Sequence, residues 1–148
     1  KNYKLIVKLH PGYNSHNILI KKIINKINSN IIIFYTKQID ELIIKSDLVL
    51  VLSPDGFDPS TVILESIILK KPIINFVLDE KFYDFSYEKH NAVISISKKA
   101  NLEEIIFNIF NNLEFRNKLI KNGNFFLDGY LSNHGIASEI LAKKLLKL

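Results

Sequence analysis

Short apolar runs alternate along the chain with segments whose apolar residues recur every three or four positions. The runs predict strands and the spaced segments predict helices, because these are the side-chain periods of the two structures. The predicted strands are Tyr3–Leu9, Ile31–Tyr35, Leu48–Leu52, Ile73–Val77 and Ala92–Ile96. The predicted helices are Ile18–Ile27, Asp40–Ser46 and Thr61–Lys70, followed by helices over most of Leu102 to Leu148 with breaks near Asn112, Gly123 and Ser132.

This alternation predicts an α/β fold. Strands that are apolar throughout and rich in isoleucine and valine are typical of a parallel sheet with both faces covered. We therefore expect a Rossmann-like, doubly wound parallel sheet of about five strands, with helices on both faces and a helical C-terminal part. No repeat or linker divides residues 1–148, which predicts a single domain. The first residue is Lys1 rather than methionine and a strand follows almost at once, so we expect a segment of a longer protein.

The segment Asp79–Asn91 breaks the pattern, because it is aromatic and charged without a clear period. Two interpretations remain open. It is either a surface loop that places Phe82, Tyr83 and Phe85 on the core, or an aromatic flap beside a ligand, since loops at strand ends build such sites.

Composition narrows the classes of function. The chain has no cysteine, and its four histidines lack the spacing of a structural zinc site, so no metal site is expected. No apolar run approaches the ~20 residues that span a bilayer, which predicts a cytoplasmic protein. The net charge of +5 comes from dispersed lysines, with Arg116 the single arginine. Nucleic-acid interfaces favour clustered arginine and aromatics, so we expect an anionic small ligand and no nucleic acid.

The region from Asp47 to Pro72 is the strongest candidate for a ligand site. A predicted strand enters a turn-rich loop that brings Ser60 and Thr61 to the start of a helix. Hydroxyls and unpaired amides at such a position bind phosphate in α/β sheets. The alternative is that these small hydroxyl residues are ordinary helix caps. If Asp58 is the cap residue instead, Ser60 and Thr61 fall in the first turn and stay free for an anion, which the Asp58 carboxylate would repel unless it turns away.

Glu65 follows Thr61 by four residues, on the same helical face, among apolar neighbours. A carboxylate in such surroundings is costly unless something binds it, and two vicinal ribose hydroxyls would suit its two oxygens. The alternative is a pairing with Lys70, with Lys71 or with the loop.

Two histidines extend the candidate site. His10 leaves the first strand at the sheet edge predicted for Ser60, and Pro11-Gly12 forces a turn directly after it. It could donate to a phosphate or carry a proton for a leaving group, or it could simply be satisfied by a turn carbonyl. His134 and Gly135 open the last predicted helix, either as an ordinary cap or as a second helix start facing the ligand.

Several nucleotide-binding and hydrolase sequence motifs are absent. No GxGxxG follows the first strand, and neither GxxxxGK[ST] nor GxSxG occurs. A dinucleotide fingerprint, a Walker-type phosphate loop and a nucleophile elbow are therefore excluded.

Five further motifs follow one another along the chain. They are K-x-H-P at Lys8–Pro11, S-D-L-V-L at Ser46–Leu50, S-T-x-x-x-E at Ser60–Glu65, K-P-x-I at Lys71–Ile74 and N-H-G-I-A-S-E-I-L at Asn133–Leu141. In this order they resemble the C-terminal domain of GT-B-fold glycosyltransferases. The nearest resemblance is to capsule and teichoic-acid-type glycerophosphotransferases and UDP-N-acetylglucosamine 2-epimerases.

The resemblance implies a nucleotide-diphosphate sugar, or a nucleotide-polyol, as donor substrate, with no metal and no cofactor. His10 would be catalytic, at the donor phosphates; Ser60 and Thr61 would hold the diphosphate, Glu65 the ribose, and His134 and Gly135 would lie close to the donor. A missing N-terminal domain would carry the acceptor site, in the cytoplasm or peripherally at the inner membrane face. An epimerase-like domain and a non-catalytic α/β interaction module are the alternatives.

Overall fold

The computed structural model describes residues 3–12, 14–53, 60–78, 86–97, 100–131 and 135–146. Within them the chain is α/β, with five strands and seven helices in alternation and a helical C-terminal part, as predicted. The strands are β1 (Ile6–Lys8), β2 (Ile32–Phe34), β3 (Val49–Ser53), β4 (Ile73–Val77) and β5 (Ile94–Ile96). The helices are α1 (Asn14–Ile27), α2 (Ile39–Lys45), α3 (Thr61–Ile68), α4 (Ser86–Lys89), α5 (Leu102–Asn111), α6 (Leu113–Tyr130) and α7 (Ala137–Leu145).

All the described strand pairs are parallel, and they form two sheets. One sheet pairs β1 with β2, with Val7 opposite Ile33, and the other has the order β3-β4-β5. The chain divides into two compact units, Lys1–Lys45 and Ser46–Leu148, each containing one sheet. The prediction that residues 1–148 form a single domain of a longer protein stays a prediction.

Helices cover both faces of the three-stranded sheet. Because side chains alternate between the two faces along each strand, neighbouring strand residues belong to different clusters. Val51 and Ile73 pack with α3, α4 and the C-terminal half of α6 in one cluster. Ile74 packs with α5 and the N-terminal half of α6 in a second cluster. Helix α6 therefore contributes to both clusters. It is also tied to the segment before β5, because the Asn122 side-chain amide donates to the Asn91 carbonyl at 3.1 Å.

The break predicted near Gly123 is wrong, because α6 continues through it from Leu113 to Tyr130. A Cβ on Gly123 would lie 3.0 Å from Cγ2 of Ile67 in α3, so the glycine permits a close approach of two helices. The break near Asn112 is confirmed: this residue ends α5, and its side chain accepts from the Phe115 amide (3.0 Å) at the start of α6. Ser132 lies outside the described residues, between the end of α6 and the start of α7.

Helix α3 begins at Thr61 as predicted and ends at Ile68, two residues early. The Lys70 amide donates to the Ile67 carbonyl and the Lys71 amide to the Ser66 carbonyl, each at 2.9 Å. This is the Schellman pattern, in which the residue after the cap is left-handed. Lys70 adopts that conformation with φ of 55°, which turns the chain out of the helix before Pro72.

The last part of the irregular segment Asp79–Asn91 is helical, since α4 occupies Ser86–Lys89. Tyr87 of α4 is buried and packs edge-on against the Phe126 ring, with centroids 6.3 Å apart. Burial raises the pKa of the Tyr87 hydroxyl, and the negative charge of Glu88 raises it further. Phe82, Tyr83 and Phe85 lie outside the described residues, so both interpretations of that part stay open.

In the unit Lys1–Lys45, β1 and β2 are held together beyond their backbone pairing. The Lys8 ammonium donates to the carbonyls of Leu9 (2.7 Å) and Tyr35 (2.9 Å), which joins the carboxyl ends of the two strands. Helix α1 starts four residues earlier than predicted. Its apolar residues are widely exposed, from 39% to 76%: Leu19, Ile20, Ile23 and Ile27.

Candidate functional site

The N-terminus of α3 is electrostatically unlike that of the helices that follow it. Ser60 occupies the N-cap, yet its hydroxyl makes no capping hydrogen bond, and the first turn contains no acid. By contrast, α5 is capped by Asn101, which accepts from the Glu104 amide at 3.2 Å, and its first turn is acidic. The partial positive charge of the α3 amides is therefore uncompensated within the described residues.

The structure places both predicted hydroxyl residues where the sequence predicts them. Ser60 is half-buried at the cap and Thr61 is the exposed first residue of the helix. Ser60 holds the N-cap position, as the alternative of ordinary capping expects, but its hydroxyl makes no capping hydrogen bond. Asp58, the other possible cap residue, lies outside the described residues. A helix start with two hydroxyls and the backbone amides of its first turn has the donor set that a phosphate group requires.

Glu65 lies one turn further along α3 and presents an unusual feature. Its Oε2 atom is buried and has no hydrogen-bond partner in the described part of the chain. Neither Lys70 nor Lys71 donates to this atom, so lysine pairing does not account for it. Most of the loop before α3, residues 54–59, lies outside the described residues, so the alternative of a pairing with the loop stays open. An unpaired buried carboxylate oxygen costs several kcal/mol in order of magnitude, and a ligand hydroxyl that donates to it would remove that cost.

A buried polar pair at the end of the strands escaped the sequence analysis. The Ser53 hydroxyl, at the carboxyl end of β3, donates to Asn75 Oδ1 of β4 at 2.7 Å, and both residues are buried. By the alternation of side chains, they share the sheet face of Val51 and Ile73, which α3 covers. The sequence feature that could have revealed this pair is Asn75, a polar residue inside the apolar run of β4. Such pairs fix polar groups at the sheet end where α/β ligands bind.

His10 is oriented by its own turn. Its Nδ1 accepts from the Gly12 amide at 3.1 Å, while the Asn17 side-chain amide donates to the His10 carbonyl at 2.8 Å. Because Nδ1 is an acceptor, the neutral ring carries its proton on Nε2. A Cβ on Gly12 would lie 3.2 Å from Nδ1, which explains the glycine. The turn thus satisfies one ring nitrogen with a backbone amide rather than with the carbonyl that the simpler interpretation predicts, and the other nitrogen is the donor of the neutral ring.

The candidate residues belong to different units. His10 lies in Lys1–Lys45, whereas Ser60, Thr61 and Glu65 lie in Ser46–Leu148. The structure therefore brings Ser60, Thr61 and Glu65 together on one short helix. The convergence of His10 with them over one crevice stays a prediction.

The last two predicted site residues, His134 and Gly135, precede α7 in the sequence. Gly135 has φ of +75°, a left-handed conformation that glycine adopts without strain. His134 lies outside the described residues. Ile136 is the N-cap of α7 and gives no side-chain capping bond. A contact of His134 or Gly135 with a ligand stays a prediction.

Two properties of the described residues bear on the kind of site. No group of three or more histidine, aspartate or glutamate side chains is placed to hold a metal ion. None of the described helices combines the length and the apolar character needed to cross a bilayer.

Comparisons with protein-family models, curated proteins and solved structures find no match for this chain. The glycosyltransferase resemblance therefore depends on the motifs in the sequence, and the function must be inferred from the chemistry of the chain's own residues. The most informative of these is Glu65, because its buried oxygen needs a donor.

Proposed function

We propose that the chain is the donor-binding domain of a GT-B-type glycosyltransferase, which binds a nucleotide-sugar or nucleotide-polyol in surface-polysaccharide biosynthesis. The observation that carries the proposal is the buried, unpartnered Oε2 of Glu65, one turn below a helix start that lacks an acid. A nucleoside diphosphate combines the two groups that this arrangement suits. Its phosphates are anions for the α3 amides, and its ribose offers hydroxyl donors to the carboxylate.

In this proposal Ser60 and Thr61 bind the diphosphate with their hydroxyls and amides, and Glu65 binds the ribose. The amides at the start of α3 also stabilise the charge that develops on the departing nucleoside diphosphate, since a preorganised dipole needs no reorganisation during the reaction. His10 is the proposed catalytic residue, donating from Nε2 to the phosphates or to the leaving group. His134 and Gly135 are proposed to lie next to the donor.

The proposal needs no metal ion and no resident cofactor, because helix amides and a histidine supply the electrostatic stabilisation. The acceptor site is assigned to an N-terminal domain of the same protein, working in the cytoplasm or peripherally at the inner membrane face. The chain alone would then bind a donor with little or no turnover. An epimerase-like domain would use the same nucleotide contacts and differ in its product.

A non-catalytic interaction module is the second candidate, and one observation favours it. Helix α1 exposes its apolar side chains, with Ile23 at 51% and Ile27 at 76%, which is typical of surfaces that contact another protein. Such a module would bind no nucleotide, so one experiment separates the two candidates.

The experiment is a calorimetric titration of the chain with UDP, CDP and GDP. We expect saturable binding of at least one nucleotide, and a rise in Kd of about 10- to 100-fold in Glu65→Gln, which corresponds to ~1.4–2.8 kcal/mol for a lost charge-assisted contact. Glu103→Gln is the matched control, because that carboxylate is exposed in the first turn of α5. Absence of binding at millimolar nucleotide, or an equal Kd in both variants, would refute the proposal.

A further inference from the structure

The unit Lys1–Lys45 contains a cavity of its own, of about 600 Å³. Five of its lining residues belong to one face of α1, where positions three and four apart are neighbours, and the sixth follows β2. The lining residues are Asn17, Ile18, Lys21, Lys22, Asn25 and Tyr35. No residue of the proposed donor site is among them.

The charge of this cavity is wholly positive. Lys21 and Lys22 line it, no acidic residue does, and neither lysine has a hydrogen bond or an ion pair with any residue that the structure describes. Two other lysines of the same unit have partners: Lys8 donates to two carbonyls, and Lys37 pairs with Glu41 at 3.4 Å. Two ammonium groups that line one cavity without an acidic neighbour in the lining attract an anion.

The frame of the cavity is held by hydrogen bonds. Asn17 is 4% exposed, and its amide group donates to the His10 carbonyl. On the opposite wall, the backbone of Tyr35 is held by the Lys8 ammonium at 2.9 Å. Both walls are therefore tied to the carboxyl ends of β1 and β2, the part of a parallel sheet where ligands bind.

We infer that this cavity binds a phosphate-bearing small molecule. Lys21 and Lys22 would neutralise the phosphate charge, and the side-chain amide of Asn25 would add a neutral donor. Ile18 and the ring of Tyr35 give an apolar wall for the remainder of the ligand. The inference does not depend on the donor site in α3, because it uses only residues of Lys1–Lys45.

The test is a titration of the ¹⁵N-labelled chain with sodium pyrophosphate at constant ionic strength, followed by amide chemical shifts. We expect saturable shifts in residues 17–25, and a Kd at least about tenfold higher in the double variant Lys21→Gln/Lys22→Gln. Lys26→Gln is the matched control, since Lys26 is an exposed lysine of the same helix that does not line the cavity. Its Kd should stay within about twofold of the wild type.

Shifts that do not saturate, that spread evenly over the lysines, or that weaken equally in Lys26→Gln would overturn the inference. Glu65→Gln separates this site from the donor site, because the shifts of residues 17–25 should persist in that variant even if the α3 proposal fails. All three lysines are exposed, so these substitutions are expected to leave the fold intact.

Discussion

Helices α6 and α1 follow similar sequence patterns and have different surroundings. In α6, one face is buried, including Leu119, Gly123 and Phe126. In α1, Asn17 is the only buried side chain among those described, and apolar residues such as Ile23 are exposed. An amphipathic period thus predicts that a helix forms, but the identity of the covering surface depends on the tertiary structure.

The difference has a local cause in the part that the structure describes. Helix α6 packs against α3, α4 and α5, so that its apolar positions meet partners on both faces of the three-stranded sheet. Within its own unit, α1 contributes four polar residues and Ile18 to the cavity beside Tyr35. Lys21 and Lys22 of that set are exposed, and so are apolar residues such as Ile23, in contrast to the buried face of α6.

The largest expected effect contrasts the two helices directly. Phe126 is 3% exposed and contacts the rings of Tyr87 and Tyr130, so Phe126→Ala should lower the free energy of unfolding by about 3–5 kcal/mol. Ile23→Ala should change it by less than about 0.5 kcal/mol, because that side chain is 51% exposed. Urea unfolding followed by circular dichroism measures both. A cost above about 1.5 kcal/mol for Ile23→Ala would mean that the apolar face of α1 is covered.

A smaller effect compares two glycines within α6. A Cβ at position 123 would meet Ile67 Cγ2 at 3.0 Å, so Gly123→Ala should cost about 1–3 kcal/mol through overpacking against α3. At Gly129 a Cβ would meet nothing within 4 Å, and Gly129→Ala should stabilise the protein by up to about 1 kcal/mol through helix propensity. The measurement is the thermal unfolding midpoint of each variant, which should fall in Gly123→Ala and rise in Gly129→Ala. If both variants are stabilised, α3 and α6 are not closely packed at this point.

The smallest effect concerns pH. The pKa of Tyr87 is raised by burial above its unfolded value of 10.0, so the hydroxyl stays neutral in the folded protein while it ionises in the unfolded one. Its stabilising contribution is complete below about pH 10 and is lost as the pH rises further. By about pH 10.5 the loss should be below ~1 kcal/mol.

The measurement is the free energy of unfolding in urea at several values between pH 8 and pH 10.5. Tyr87→Phe removes the ionisable group, so its stability should decline less steeply than that of the wild type over this range. Parallel profiles for the two proteins would show that Tyr87 is not buried against α6 in solution.

Local features were predictable from the sequence. The five apolar runs give the five strands, and Ser60 and Thr61 stand at the start of α3, because strand period and helix-start chemistry depend on neighbouring residues. The end of α3 at Ile68 was less predictable, since Lys70 takes the left-handed position that glycine usually fills.

Features that depend on distant parts of the chain were not predictable. Gly123 looked like a helix breaker, and only the proximity of Ile67, 56 positions earlier in the sequence, reveals it as a packing residue. The pairing of Ser53 with Asn75 likewise depends on the register of β3 and β4. Glu65 was predicted to need a partner, but the burial of one particular oxygen could be found only in the structure.

The position of α6 beside β5 has a consequence for solubility. As the last strand in the order β3-β4-β5, β5 presents backbone groups at its outer edge, where strands of other molecules could add and start aggregation. Residues of α6, including Lys118 and Asn122, line a groove with Val93–Ser95, so a basic and a polar side chain lie close to that strand. Charged side chains near an edge strand disfavour the addition of a strand from another molecule.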